Sequence, residues 1–285
     1  ALDGAGRTGD DIGAVDVSTS GPVVYYAKPS GSGSDGFLTP ETAGNFAEVF
    51  IHARSQGADA EIRLVGGQGN YDLTSYVSPS YFLWSAAYDL KITSHTTKVI
   101  IDGGGVESFL GFNSSADLTV SNVTIQNCTS SVDYVTAINV YGAAATVTLA
   151  DCDFIGNTNA RWPYSGGAVN VRRAIDATVI DCTFTNNTCS NDDLGVGGAI
   201  SLMEMTGTAS VTGCTFTGNR ADRSGGAITA GGNVTGALTI IDSGFVNNTA
   251  YNSANDNGSG GAIAMNNTGQ PLTITGSTFT GNSAS

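Results

Sequence analysis

The chain has 285 residues, a net charge of −14, 39 glycines and only 13% charged residues, with 40% apolar residues. Its 11 scattered Lys and Arg residues cannot supply the basic stripe that neutralises phosphates, so nucleic acid is excluded as a partner. Apolar content argues against disorder, abundant glycine with little charge argues against a helical protein, and no apolar run is long enough to cross a bilayer.

Taken in chain order, residues 1–22 form an N-terminal extension that begins at Ala1 without Met, as in a processed chain or a fragment. Residues 23–73 read as a cap. Val23-Val-Tyr-Tyr26 has strand character, and residues 29–36 form a loop rich in Gly and Ser. Thr39 as N-cap and Pro40 at the first helical position predict a helix over about residues 40–56. Phe46, Val49, Phe50 and Ala53 then share one face, and Gly57 stops the helix. A strand follows at Glu61-Ile-Arg-Leu-Val65. An amphipathic helix in this place shields the open end of a stack of strands. Residues 74–285 are expected to be coils, irregular at first and regular from about residue 118.

The regularity is a repeat. Cys152-Asp-Phe-Ile-Gly-Asn157, Cys182-Thr-Phe-Thr-Asn-Asn187, Cys214-Thr-Phe-Thr-Gly-Asn219, Ser243-Gly-Phe-Val-Asn-Asn248 and Ser277-Thr-Phe-Thr-Gly-Asn282 share a Phe-x-x-Asn pattern, with Val123-Thr-Ile-Gln-Asn-Cys128 as a degenerate forerunner. Between them lie Gly166-Gly-Ala-Val169, Gly197-Gly-Ala-Ile200, Gly225-Gly-Ala-Ile228 and Gly260-Gly-Ala-Ile263, preceded by Thr136-Ala-Ile138. The phenylalanines recur after 30, 32, 29 and 34 residues. That variation rules out a coiled-coil seam and fits coils whose strands stay in register while one loop changes length. Such strands are too short to fold alone and become stable by stacking about 4.8 Å apart over one continuous core. The fold expected is all-β, a right-handed parallel β-helix with an N-terminal capping helix. Phe should build an inward ladder, and Asn a ladder of amides in a bend that tolerates left-handed backbone.

Cys152, Cys182 and Cys214 share a repeat position and read as stacked buried thiols or an inter-coil disulfide; spacings of 30 and 32 do not chelate a metal. Cys189 falls in an expected loop, and Cys128 replaces a ladder Asn. His52 and His95 are too isolated for a triad, and His52 reads as structural. Asp151, Asp181 and Asp242 share a position and read as turn formers rather than as a pair of catalytic acids. Arg172 and Arg173 read as surface ion-pairing residues. The variable loop between the two motifs carries Arg161, Trp162 and Tyr164, then Asp192 and Asp193, then Arg220 and Arg223, then Tyr251. Stacked coils would place these on one edge, as a contact surface for glycan or protein or as inter-coil ion pairs. Sequons at Asn113, Asn233, Asn257 and Asn266 are candidate glycosylation sites. No catalytic residue, cofactor or metal is expected.

The paired Gly-Gly-Ala-Ile and Phe-x-x-Asn motifs resemble the repeats of the polymorphic outer-membrane proteins, over roughly residues 123–285. That resemblance implies a β-helical domain of a surface adhesin. Residues 23–73 and Val99-Ile-Ile-Asp-Gly-Gly-Gly105 are similar to the cap and first coil of secreted pectate-lyase-like β-helices. The expected function is therefore a non-catalytic structural or adhesive protein, extracellular or at the cell surface; a polysaccharide lyase or hydrolase and a glycan-binding module are the alternatives. Asp11-Ile-Gly-Ala-Val-Asp16 is similar to a segment that ends many secreted β-helices. Asp11, Ile12, Val15 and Val17 are thus expected to pair with the open last coil of another copy, giving a head-to-tail filament. The partners expected are self, other surface proteins or glycans, with no insertion in a membrane.

Overall fold

The computed structural model of the chain describes residues 21–285 except 31, 34, 77–80, 130–135, 143–145, 161–164, 191–194, 233–235, 252–257, 267, 268 and 270. Apart from Val23–Lys28 and Gly44–Asn45, which pair with one another, each short strand pairs in parallel with the strand one repeat away and not with its neighbour along the chain. Four sheets result, of ten, eight, seven and five strands. A regular coil passes through all four in turn: Ala177–Ile180, Thr183–Thr185, Thr188–Cys189 and Ile200–Met203. This is a parallel β-helix, all-β apart from one α-helix and two short 3-10 turns among the described residues.

The corners follow from residue type. Between the first two strands of successive coils one residue is left-handed: Asn122, Asp151, Asp181, Gly213, Asp242 and Gly276. Asn, Asp and Gly reach that conformation at least cost, so the aspartate column is a column of turns. The next corner puts Asn127, Gly156, Asn186, Gly218, Asn247 and Gly281 in the same conformation. The left-handed residue expected at the ladder Asn is therefore the one before it.

The ladder Asn itself is a buried hydrogen-bond relay. Asn187 is fully buried; its Nδ2 donates to Asn219 Oδ1 and to the Phe154 carbonyl, each at 3.0 Å. Its Oδ1 accepts from the backbone N–H and the Nδ2 of Asn157, also at 3.0 Å. All four hydrogen-bonding positions of the amide are used, which is what a buried polar side chain requires. The row continues to Asn248 and Asn282 and ends at Cys128, whose backbone N–H donates to Asn157 Oδ1 at 3.0 Å.

The cysteine column works in a similar way. The backbone N–H of Cys152 donates to Cys182 Sγ and that of Cys182 to Cys214 Sγ, each at 3.4 Å, while Cys214 N donates to Ser243 Oγ at 3.1 Å. Thiol and hydroxyl are interchangeable here, and all five cysteines are free and buried. Cys189 is not in a loop: it lies in the strand Thr188–Cys189, fully buried, and its Sγ–H donates to the Ser165 carbonyl at 2.8 Å. Burial pushes its thiol up to about 12.

Phe154, Phe184, Phe216, Phe245 and Phe279 stack at 4.7–4.8 Å with their planes within 5°. Opposite them the second glycine of each Gly-Gly pair lets coils approach: a Cβ on Gly198 would lie 2.1 Å from the Gly226 carbonyl oxygen.

At the N-terminal end the helix spans Phe46–Ser55, not residues 40–56. Asn45 is its N-cap, accepting from Glu48 N at 3.0 Å, whereas Thr39 and Thr42 bond to one another ahead of the helix. The Asn cap competes better than a Thr-Pro start because it leaves Phe46, Val49, Phe50 and Ala53 buried over the first coils. Gly57, at φ +73, ends the helix as expected. The coils over residues 74–120 are more regular than expected, since Leu90–Ser94 pairs in register with Ala60–Leu64 and with Leu118–Ser121.

Candidate functional site

On the seven-stranded sheet Val169 and Val171 face the core, so Asn170 between them faces out. It belongs to a register row of Asn139, Asn170, Ser201 and Thr229, all buried. Asn170 Nδ2 donates to Asn139 Oδ1 at 2.6 Å, and Asn170 Oδ1 has no hydrogen-bond partner among the described residues.

Two positions further along the strands, Tyr141, Arg172, Met203, Gly231 and Asn266 form the next row. Here the chain leaves the sheet through another left-handed corner at Arg173, Glu204 and Gly232. The Glu204 carboxylate accepts from Arg172 Nη2 at 2.6 Å and from Arg173 Nε at 2.9 Å. Both guanidinium groups lie over the Tyr141 ring, at 5.5 and 5.0 Å from its centroid, and Arg173 also donates to the Tyr141 hydroxyl at 2.8 Å. Arg172 first, then Arg173, hold the Glu204 carboxyl below the usual carboxylate range. The ion pairing expected for Arg172 and Arg173 is thus present, spread over three coils.

Two recesses flank this cluster and share Arg172. One, of about 410 Å³, is lined by Tyr81, Leu83, Phe112, Asn139 and Tyr141 among others. The other, of about 570 Å³, is lined by Met203, Glu204, Arg223, Ser224 and Asn266 among others. The two lie one after the other across the strands of the seven-stranded sheet, an interrupted groove that Arg172 divides.

Of the loop-column residues singled out in the sequence, Arg161, Trp162, Tyr164, Asp192 and Asp193 lie outside the described residues, as do Asp11, Ile12, Val15 and Val17. The remaining three divide. Arg220 lies over the Tyr251 ring at 5.7 Å and pairs with Asp222 at 3.0 Å, while Arg223 is exposed and lines the larger recess. Asn113 is exposed at the rim of the smaller recess; Asn266 is half-buried, and its Nδ2 donates to Ser224 Oγ at 2.8 Å. Asn233 and Asn257 lie outside the described residues. His52 packs edge-on against Tyr25 and Phe37. Among the described residues no three His, Cys, Asp or Glu side chains gather as a metal site would require.

Tyr81, Asn139 and Glu204 were not picked out from the sequence. Glu204 could have been found by stepping 32 residues on from Arg172, the same step that links Phe184 to Phe216. Tyr81 and Asn139 carry no such signal.

The Chlamydia polymorphic membrane protein repeat matches residues 181–202 and 213–231, two successive passages from the first corner through the Phe strand to the Gly-Gly-Ala strand. Those two passages match the repeat, and the coils on either side share its motifs. No curated protein and no solved structure matches the chain. The repeat takes its name from a membrane protein family and points to a surface protein; no helix among the described residues is long and apolar enough to cross a membrane.

Proposed function

We propose that this chain is a non-catalytic structural and adhesive module of a surface protein, exposed on the outside of the cell. The observation that carries the reading is the continuity of the coils. From Val147 to Thr280 the strand registers, the Phe stack and the Asn row run from coil to coil without a break. A rigid rod of this kind presents a surface far from its point of attachment, and its Asn and Cys columns serve to hold the coils together. Immobilised protein should retain cells or extracellular polysaccharide from suspension. Uronate-containing polysaccharides incubated with it, with and without calcium, should keep their chain length. Shortened chains would overturn the reading in favour of a carbohydrate-active enzyme.

A second element of the same function is head-to-tail assembly, which rests on the likeness of residues 11–16 to a segment that ends other β-helices. Residues 10–17 of one copy would add a strand to a sheet of the next. Removal of residues 1–18 should abolish assembly and leave the β-sheet circular dichroism unchanged; a monomeric full chain at high concentration defeats this element.

A further inference from the structure

We propose that the groove along the seven-stranded sheet binds an extended anionic saccharide chain, lying parallel to the solenoid axis. This deepens the adhesive reading, on which it rests, by naming the ligand class and the residues that meet it.

The length of the groove comes first. It touches six of the seven strands of its sheet, from Leu83 in the first to Met265 in the last. With strands about 4.8 Å apart, the two recesses end to end span roughly 29 Å. A ligand that fills both is a chain, not a small molecule.

The charge of the groove is opposite to that of the protein. Glu204 is the one acid among its described lining residues, and Arg172 and Arg173 already occupy both oxygens of that carboxylate. Arg223 lines the same recess, is exposed, and makes no ion pair with a described residue. Among the lining residues, Arg172 and Arg223 against Glu204 leave one guanidinium charge in excess, with Arg173 beside them, in a chain of net charge −14. At physiological ionic strength charges beyond about 8 Å are largely screened, so an anion in the groove meets the arginines and not the acidic whole. A guanidinium fork is also the group best shaped for carboxylate or sulfate.

The walls suit sugar rings. The Tyr81 ring lies over Gly111, where a Cβ would come within 2.9 Å of its Cε2, and Tyr141 is 37% exposed. Aromatic side chains of this kind offer an apolar face with a polar tip. Beside them Asn139 lines the recess, and the unpartnered Oδ1 of Asn170, a residue 4% exposed, is a spare buried acceptor next to it.

The backbone carries a separate mark. Apart from Phe37, Arg173 and Glu204 are the described left-handed residues that are neither Gly, Asn nor Asp. A side chain of their type is disfavoured in that conformation, and Gly232 shows that glycine fills the same corner one coil on. Strain kept at adjacent corners marks a place held for something other than stability.

The full chain can be tested by affinity retention and calorimetry on four probes: polygalacturonate oligomers, dextran sulfate, neutral dextran and poly-glutamate. Retention by the carboxylated or the sulfated polysaccharide, weakening as salt is raised, is the expected result, and whichever is retained identifies the anion. Arg223→Gln should weaken it roughly tenfold or more, the loss of one charge-assisted contact. Tyr81→Ala should weaken it too, whereas Arg220→Gln, whose partners are Asp222 and Tyr251, should leave it unchanged. Equal retention of neutral dextran, retention of poly-glutamate alone, no retention at all, or an Arg223→Gln protein with unchanged affinity overturns the proposal. Loss of the saccharide result with cell capture intact would remove the groove and leave the adhesive reading standing.

Discussion

The two ends of this solenoid build their cores in opposite ways. Near the N-terminus Phe46, Phe50, Phe82, Trp84 and Phe109 meet edge-on or tilted, at 4.8–6.5 Å, each in a setting of its own. From Phe154 onward the aromatics lie parallel, one per coil, in settings that are copies of one another. The first arrangement closes an end, where a helix must fit over strands that have no further coil to stack on. The second propagates, because whatever satisfies one coil satisfies the next. A capped region therefore depends on unique contacts and a regular region on positions.

The strongest test of that contrast is removal of one ring from each region. Phe216→Ala and Phe50→Ala should each cost about 3–5 kcal/mol, as for other fully buried aromatics. The defect at Phe216 should spread to both neighbouring coils, seen as loss of amide protection on either side, whereas that at Phe50 should stay under the cap. Equal and confined losses would mean that the stack is not cooperative.

Next in size is the Asn row. Asn187→Ala strips acceptors from the N–H and Nδ2 of Asn157 and a donor from the Phe154 carbonyl. At about 1–3 kcal/mol for each buried group left unpaired, chemical denaturation should register a loss of a few kcal/mol. A loss below 1 kcal/mol would show that the row is incidental to the fold.

Acid should weaken both regions together. Burial raises the carboxyls of Glu61 and Asp102 near the cap and Asp153 among the coils, but hydrogen bonds outweigh it, and all three are held below their usual values. For Glu61 the partners are Arg63 and Lys91, for Asp153 Thr183 and Lys98. A depressed carboxyl contributes stability that is complete above its ordinary pKa and is lost as pH falls through the depressed one. Tm should therefore be flat from pH 7 to about 5 and fall below about 4. Glu61→Gln should flatten part of that fall, and a Tm that rises on acidification contradicts the assignment.

The smallest effect belongs to the cysteine column. Cys182→Ser should change stability by less than about 1 kcal/mol, because Ser243 and Ser277 already serve the same hydrogen bonds one and two coils past Cys214. Alkylation of the unfolded chain should count five thiols in the wild type and four in the variant.

Repetition made most of the fold legible. Five Phe-x-x-Asn motifs and four Gly-Gly-Ala motifs at a near-constant step dictate stacked parallel coils, because only that arrangement satisfies the same residue in the same way every time. They also determine which residues face inward and that the aspartate column makes turns. Where the chain does not repeat, local signals misled. Thr39 and Pro40 form a good helix start, yet the helix waits for Asn45, because the position of Phe46 over the first coils outweighs a local cap. Cys189 reads as loop because two residues are too few to show alternation, and it is a strand only because Asn159 and Ala221 flank it in register. The groove lay furthest from the sequence. Tyr81, Tyr141, Arg172, Glu204 and Arg223 come from five different coils, and beyond the 32-residue step from Arg172 to Glu204 no spacing marks them as a set. Their association is decided by how far each loop carries the chain out before it returns to the sheet, a property of the stacked coils and not of any one segment.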